Sequence, residues 1–211
     1  FYLQRFLNSS VYKGMREGTM RQSFPAEIIE RAQRGDPTAF SEIIERFQVS
    51  VYNLCYRMLS HNVGDAEDAA QEVFLKVWKN IGRFDADRTF STWVLSIATN
   101  HCIDLIRKKR VPTVEIDETF EEILPDSIAT PKQEFAQKER SELIRRILDG
   151  LSETDRAIVV LRYWDELPDR EIAAALGLSE AAVKSRLFRA RKQLVQIYQQ
   201  TQEHAWMEAV V

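Results

Sequence analysis

The stretch DREIAAALGLSEAAVKSRL, residues 169–187, has the pattern of two helices joined by a tight turn. Gly177 separates a short alanine-rich segment from a longer one, and Ser179 is placed to cap the longer segment. Apolar residues at helical spacing would give the pair one small core: Ile172, Leu178, Val183 and Leu187. A short helix, a glycine-containing turn and a longer second helix together predict a helix-turn-helix.

The second helix of this pair carries positive charge that the chain as a whole lacks. The 211-residue chain has a net charge of −3, yet residues 183–193 hold five basic side chains and no acidic one. Four residues fall on one outward face: Lys184, Ser185, Phe188 and Arg189. Such a face fits the major groove of DNA, where basic groups read guanine edges and apolar groups touch thymine methyls. A merely solvated basic face is the alternative, but it does not account for the missing acids.

Composition favours a helical globular protein. The chain is 45% hydrophobic and 29% charged, with only 7 glycines and 6 prolines. Many-stranded β folds need frequent turn residues, so we expect long helices and an all-α fold. The apolar stretches fall short of the roughly 20 residues that span a bilayer, and residues 1–24 lack the continuous apolar core of a signal peptide. A cytoplasmic location is therefore expected.

Two cysteines and three histidines bear on metal and redox chemistry. Cys55 and Cys102 lie among apolar residues at helical spacing, which favours small core residues over a disulfide framework. The histidines are scattered, whereas a metal site needs about four ligands at a recognisable spacing. We therefore expect no metal and no cofactor. The sequence also lacks a glycine-rich phosphate loop and a nucleophile motif, which argues against an enzyme.

Two helical regions are separated by an acidic segment. Helical patterns fill residues 25–110 and 137–200, whereas residues 111–136 hold three prolines and seven acidic residues against one lysine, a net charge of −6. Proline spacing and charge argue against a packed helix there, so this segment is predicted to be an acidic linker. Whether the linker is a solvated spacer or has a functional role stays open, as do the roles of residues 1–24 and of the tail at 201–211.

Three strings in this order resemble one protein family. They are DAEDAAQEVFLKVWKNIGRFD at residues 65–85, TFSTWVLSIATNHCIDLIRKKR at 89–110 and LSETDRAIVVLRYWDELPDREIAAALGLSEAAVKSRLFRARKQL at 151–194. With the acidic linker between them, they closely resemble the extracytoplasmic-function (ECF) sigma factors of bacterial RNA polymerase. The resemblance implies a sigma-two domain at 25–110 and a sigma-four helix-turn-helix domain at 137–200. Family members bind core RNA polymerase, recognise the −35 and −10 promoter elements and initiate transcription, and are not enzymes.

The resemblance also assigns roles to residues. It places docking on core polymerase on one helix, at Asp68, Gln71, Glu72 and Phe74. It places contacts to the duplex −35 element on the basic helix, at Lys184, Ser185, Arg186, Phe188, Arg189 and Arg191. One departure concerns this basic helix. Ala181 and Ala182 stand where family members commonly have Gly and Thr, so Ala182 has no hydroxyl to donate to a DNA phosphate.

A further set of residues is expected to hold the melted −10 element as single strand. An extruded base needs an apolar wall and a polar group that reads its edge. The resemblance, with the spacing of the last members along one helix, indicates Phe84, Asp85, Arg88, Trp93, Ile97, Asn100 and Asp104. Trp93 is equally consistent with core packing. The basic run at the end of the helix is expected to hold DNA phosphates: Arg107, Lys108, Lys109 and Arg110.

The expected partners are core RNA polymerase and promoter DNA, duplex at −35 and melted at −10, with no small-molecule substrate. The resemblance implies an anti-sigma factor as a further partner, and it places the acidic linker along the RNA exit path of the polymerase. The main alternative is a helix-turn-helix transcriptional regulator that acts without sigma activity. That alternative explains residues 169–194 but leaves residues 65–110 without a role.

Overall fold

The computed structural model describes residues 24–85, 89–110 and 141–210, and the regular secondary structure in these ranges is helical. The first group of helices comprises α1 (Ala26–Gln33), α2 (Pro37–Met58), α3 (Val63–Asn80), a short 3-10 turn (Ile81–Arg83) and α4 (Phe90–Arg110). The second comprises α5 (helical at 141–149), α6 (Glu153–Tyr163), α7 (Asp169–Leu176) and α8 (Glu180–Val210). No strand occurs in the described ranges, which confirms the predicted all-α fold.

Short polar caps begin several of these helices. Asp36 accepts hydrogen bonds from two backbone amides in the first turn of α2, and Pro37 follows it at the first helical position. Ser152 accepts from the amide of Asp155 and begins α6. Gly177 ends α7 at φ +65°, a left-handed conformation that favours glycine and turns the chain sharply into α8. The expected helix-turn-helix is therefore formed by α7 and α8.

The first group of helices packs around α2, whose apolar stripe faces α3 and α4. Fully enclosed side chains from the three helices fill this core: Ile43, Phe47, Val51, Leu54, Met58, Val73, Val77, Val94, Leu95 and Ala98. Cys55 and Cys102 are buried free thiols in the same core, as the sequence predicted. Burying so many large side chains supplies most of the driving force for folding this bundle.

The second group packs α8 across α6 and α7. Its core contains Ile158, Leu161, Ile172, Val183, Leu187 and Leu194. Three of these residues, Ile172, Val183 and Leu187, are ones that the sequence pattern assigned to the helix-turn-helix core. Their burial fixes the orientation of α8, and so decides which of its side chains face outward.

The two groups of helices also pack directly on each other. α4 lies between the first bundle and helices α6 and α7, while α2 contacts α6. Arg156, only 4% exposed, donates to the carbonyl of Met58 at 2.7 Å and pairs with Asp149 at 3.0 Å. Ser60 donates to the same Asp149 at 2.7 Å. The sequence patterns did not reveal this contact, because nothing local in a sequence marks which surface of one helical group meets another.

Candidate nucleic-acid and docking surfaces

The outward face of α8 presents the four residues predicted to read duplex DNA. Lys184, Ser185, Phe188 and Arg189 are all exposed, and Phe188 is 59% exposed. The ammonium of Lys192 lies 4.8 Å from the centre of the Phe188 ring, a cation–π contact that limits where this ring can turn. Exposing an apolar ring to water is unfavourable. An exposed aromatic ring among basic side chains is therefore typical of a surface that a partner covers.

Two other basic residues of α8 make contacts within their own group of helices. Arg186 donates to the carboxylate of Asp155 at 2.9 Å, and Arg191 donates to the hydroxyl of Tyr163 at 2.7 Å. Both partners lie on or next to α6, so these bonds fix α8 on α6. The predicted contacts of Arg186 and Arg191 with DNA stay a prediction. Ala182 gives its backbone amide to the Ser179 cap.

An aromatic cluster lies where the 3-10 turn meets the start of α4. The ring centre of Phe84 is 5.1 Å from that of Phe90 and 5.4 Å from that of Trp93, and the Phe90 and Trp93 centres are 5.5 Å apart. Phe90 is buried, whereas Phe84, Trp93 and Ile97 are only partly covered. The cluster therefore offers an apolar wall at the surface with a rigid layer beneath it. Trp93 contributes both to packing and to the wall.

The polar residues of the predicted −10 set differ in their surroundings. Asp85, Asn100 and Asp104 are exposed, and Arg88 lies outside the described residues. The amide of Asn100 donates to the carbonyl of Ala175 on α7 at 3.3 Å. The structure thus brings Phe84 and Trp93 together, and it gives the amide of Asn100 a partner in the second group of helices.

The basic run at the end of α4 is partly engaged by carboxylates. Arg107 pairs with Glu153 on α6 at 3.1 Å, and Lys109 pairs with Asp65 on α3 at 2.7 Å. Both basic side chains remain more than half exposed. Lys108 is exposed, and the side chain of Arg110 lies outside the described residues. Ion pairs as exposed as these are weak, so phosphates can replace the carboxylates.

Helix α3 carries three of the four predicted polymerase-docking residues on its outer face. Asp68, Gln71 and Glu72 are exposed, whereas Phe74 is partly buried and packs against the core. The exposed apolar side chains of this helix are Leu75, at 51%, and Trp78, at 38%. Trp78 makes an edge contact with Phe40 at 4.7 Å. Trp78 was missed from the sequence, although a tryptophan on a helix whose inner stripe is already filled is a usable signal.

Two titratable side chains near the junction of the helical groups are shifted toward their neutral forms. Burial, together with the nearby Arg57, lowers the pKa of His61 to about 4. Burial raises the pKa of Asp165 to about 7, and Arg57 offsets only part of that effect. The guanidinium of Arg57 also lies 5.4 Å from the ring centre of Trp164. An ionised carboxylate at Asp165 therefore costs free energy in the folded chain.

Comparison with known proteins gives the family. The family model Sigma-70 region 2 matches residues 43–111, and the model Sigma-70, region 4 matches residues 141–194. The chain is 38% identical over 175 residues to the ECF RNA polymerase sigma factor SigW of Bacillus subtilis (strain 168), covering 79% of this chain and 92% of the relative. The chain belongs to the ECF sigma factor family.

Other relatives agree with this assignment. The chain is 32% identical over 181 residues to the RNA polymerase sigma-H factor of Pseudomonas aeruginosa, covering 82% of this chain and 93% of the relative. It is 32% identical over 173 residues to the ECF RNA polymerase sigma-E factor of Escherichia coli (strain K12), covering 78% and 89%. The recognition made from the sequence motifs is therefore confirmed.

Solved structures share the arrangement of the helices. The structure of CnrH in complex with the cytosolic domain of CnrY matches with a TM-score of 0.60 at 26% identity, covering 81% of this chain and 94% of that one. The sigma factor RpoE of Bartonella quintana, solved in complex with the anti-sigma factor NepR, matches with a TM-score of 0.57 at 21% identity, covering 76% and 96%. The second likeness shows the fold alone.

Membership decides between the two functions left open by the sequence. A regulator that only binds duplex DNA would account for the region 4 match and not for the region 2 match. The protein is an alternative sigma factor that acts with core RNA polymerase at promoter DNA to initiate transcription. In the described part of the chain, no helix is long and apolar enough to cross a membrane, and no group of three potential metal ligands occurs.

Proposed function

We propose that this sigma factor divides promoter recognition between two surfaces and holds polymerase with a third. The outward face of α8 reads the duplex −35 element through Lys184, Ser185, Phe188 and Arg189. The wall formed by Phe84, Trp93 and Ile97, with Asn100 beside it, takes an extruded base of the non-template −10 strand. The outer face of α3 docks on core polymerase. The aromatic cluster is the observation that carries this proposal, because Phe84 and Trp93 form a partly exposed apolar wall and Asn100 lies on the same helix as Trp93.

The domain boundaries follow from the same division. We assign residues 25–110 to docking and −10 opening, and residues 137–200 to −35 recognition. The linker at 111–136 lies outside the described residues, and its charge of −6 suits a path that otherwise receives the RNA polyanion. The protein supplies binding surfaces and no reaction of its own, in the cytoplasm where polymerase works.

We expect the packing of α7 on α4 to open when the −10 element binds. Asn100 donates to Ala175, and Arg107 is paired with Glu153, so two groups assigned to DNA are engaged by the −35 domain. The side chain of Asn100 has a second N–H and a carbonyl oxygen, so the bond to Ala175 fixes the orientation of the amide without using all of its hydrogen-bonding groups. Docking on polymerase, which separates the two promoter-binding domains along the DNA, frees both groups.

An inhibitory protein partner fits the closed packing. CnrH, which shares this arrangement of helices, was solved with the cytosolic domain of CnrY bound to it. A protein that bridges the two helical groups would hold Asn100 and Arg107 in their present contacts and keep the sigma factor inactive. We expect such an anti-sigma factor to bind the closed chain more tightly than the opened one.

Runoff transcription with purified core polymerase tests the proposed function. Core polymerase with this chain should give a discrete transcript from promoters that are mapped by sequencing transcripts after overexpression, and core polymerase alone should not. If the chain shifts duplex promoter DNA by itself but yields no transcript with core polymerase, the proposal is wrong and a plain regulator is favoured.

A further inference from the structure

One glutamine of α1 bridges the two ends of the turn that carries Phe84. The side-chain amide of Gln33 donates to the carbonyl of Ile81 at 3.0 Å and to the carbonyl of Phe84 at 3.4 Å. The backbone amide of Phe84 donates to the same Ile81 carbonyl at 3.0 Å. The first residue of the 3-10 turn and the residue that follows the turn are thus tied to one side chain, which lies 48 and 51 positions earlier in the chain.

This turn sets the position of the Phe84 ring. Phe84 follows directly on the 3-10 turn Ile81–Arg83, so the path of the turn decides where its ring lies against Phe90 and Trp93. A short 3-10 turn has few hydrogen bonds of its own and is easily rearranged. Two hydrogen bonds from a neighbouring helix therefore favour the observed path of the turn, each with the modest net free energy of an ordinary hydrogen bond.

The chain just before α1 also supports the floor of this wall. The ring of Phe24 stacks on Phe90 at 5.4 Å and contacts Phe47 at 5.5 Å. Phe24, whose ring lies beneath the cluster, comes just before α1. Gln33, at the end of α1, supplies the amide that holds the turn. Both residues precede position 43, where the match to the region 2 family model begins.

We infer that Gln33 is a positioning residue for strand opening: it holds the turn so that Phe84 stands ready as the wall for the extruded base. The inference rests on the proposed role of Phe84. Only a hydrogen-bond donor suits this place, because Gln33 faces two carbonyl oxygens. A carboxylate of the same shape would accept no bond from them and would repel both.

Three substitutions separate the donor from the bulk of the side chain. Gln33→Ala removes both, Gln33→Glu keeps the shape and removes the donor, and Gln33→Lys keeps a donor on a longer stem. Gln48→Ala, at an exposed glutamine of α2, is the matched control. Each full-length variant is assembled with core polymerase. Opening is followed by permanganate reactivity of thymines and by 2-aminopurine placed in turn at each non-template −10 position.

Loss of a hydrogen bond of ordinary strength predicts a fall in opening rate of about three- to ten-fold for Gln33→Ala and Gln33→Glu. Gln33→Lys should retain most of the rate, and Gln48→Ala all of it. Holoenzyme assembly and affinity for a −35 duplex should match the parent for every variant. If Gln33 had a purely structural role, all three Gln33 variants would instead show a lower unfolding temperature and weaker holoenzyme assembly.

Phe84→Ala in the same assay separates this inference from the proposal beneath it. If Phe84→Ala fails to open the promoter while Gln33→Glu opens it at the parent rate, the inference about Gln33 is overturned and the wall stands. If Phe84→Ala itself opens the promoter at the parent rate, both the proposed role of Phe84 and the inference about Gln33 are wrong. Equal losses for Gln33→Glu and Gln33→Lys, accompanied by weaker assembly, also overturn the inference.

Discussion

The side-chain amide of Asn100 on α4 donates to the backbone carbonyl of Ala175 on α7, at 3.3 Å. This bond joins the residue assigned to the −10 base edge to the first helix of the helix-turn-helix. Around it, Thr92 contacts Glu171, and Arg107 pairs with Glu153. The free chain therefore holds the surface proposed for the −10 element against the second group of helices, while the outward face of α8 stays exposed.

Weakening this junction should open the free chain. Glu171→Ala and Arg156→Ala each remove contacts that cross it, whereas Glu180→Ala at the start of α8 is a control. Dyes on cysteines introduced at the exposed Val49 and Val195 report the separation, since the native thiols are buried and react slowly. We expect energy transfer to fall when core polymerase binds the parent. In both junction variants it should already be low without polymerase; high transfer in all three free proteins would contradict the closed resting state.

Substitutions on α8 should distinguish base-specific contacts from contacts that stabilise the fold. Arg189→Ala should weaken binding to the −35 duplex by roughly 1–3 kcal/mol and relax selectivity at one −35 position. Phe188→Ala should abolish the preference for thymine over deoxyuridine at the base it touches, because the two differ only in the methyl group. Arg186→Ala removes the bond to Asp155 and should lower the unfolding temperature, and a loss of −35 affinity in the folded variant would support its predicted DNA contact. Binding of a −35 duplex series by fluorescence anisotropy checks this, and unchanged selectivity in Arg189→Ala would refute the assignment.

The exposed apolar residues of α3 should anchor the polymerase interface. Truncating a buried aromatic anchor typically costs about 2 kcal/mol or more, which is roughly thirty-fold in affinity. Trp78→Ala and Leu75→Ser should therefore weaken binding to core polymerase strongly, whereas Val49→Ser on α2 should not. Titration of labelled sigma factor with core polymerase measures this. Parent affinity in Trp78→Ala would move the docking surface elsewhere.

Asp165 predicts a pH dependence of stability. Burial raises its pKa to about 7 in the folded chain, against an ordinary value near 3.8. Folding then takes up a proton between these values, so the free energy of unfolding falls as pH rises from about 4 to 7. Asp165→Asn should raise the free energy of unfolding by on the order of 2–4 kcal/mol at pH 8 and by much less at pH 5. Urea unfolding at both pH values tests this, with Glu45→Gln as the exposed control; equal gains at both would exclude the mechanism.

Local patterns in the sequence were sufficient for the helices and for the reading face. The apolar spacing predicted that Val183 and Leu187 of α8 pack against Ile172 of α7. Phe188 and Arg189 then had to face outward. Contacts between distant segments were not accessible in this way. The bond from Gln33 to the Phe84 turn and that from Asn100 to Ala175 span 51 and 75 positions, and no spacing rule relates such residues. The bond from Arg186 to Asp155 likewise joins two helices, and the charge of Arg186 alone did not indicate it.

Permanganate reactivity of −10 thymines tests the central claim most directly. Holoenzymes of the parent, Phe84→Ala and Asn100→Ala are compared on one mapped promoter, as duplex and with a pre-melted bubble, at equal occupancy of core polymerase. We expect reactive thymines with the parent, little reactivity on the duplex with either variant, and partial recovery on the bubble. If both variants open the duplex at the parent rate, the surface of Phe84 and Asn100 is not where this sigma factor holds the melted strand.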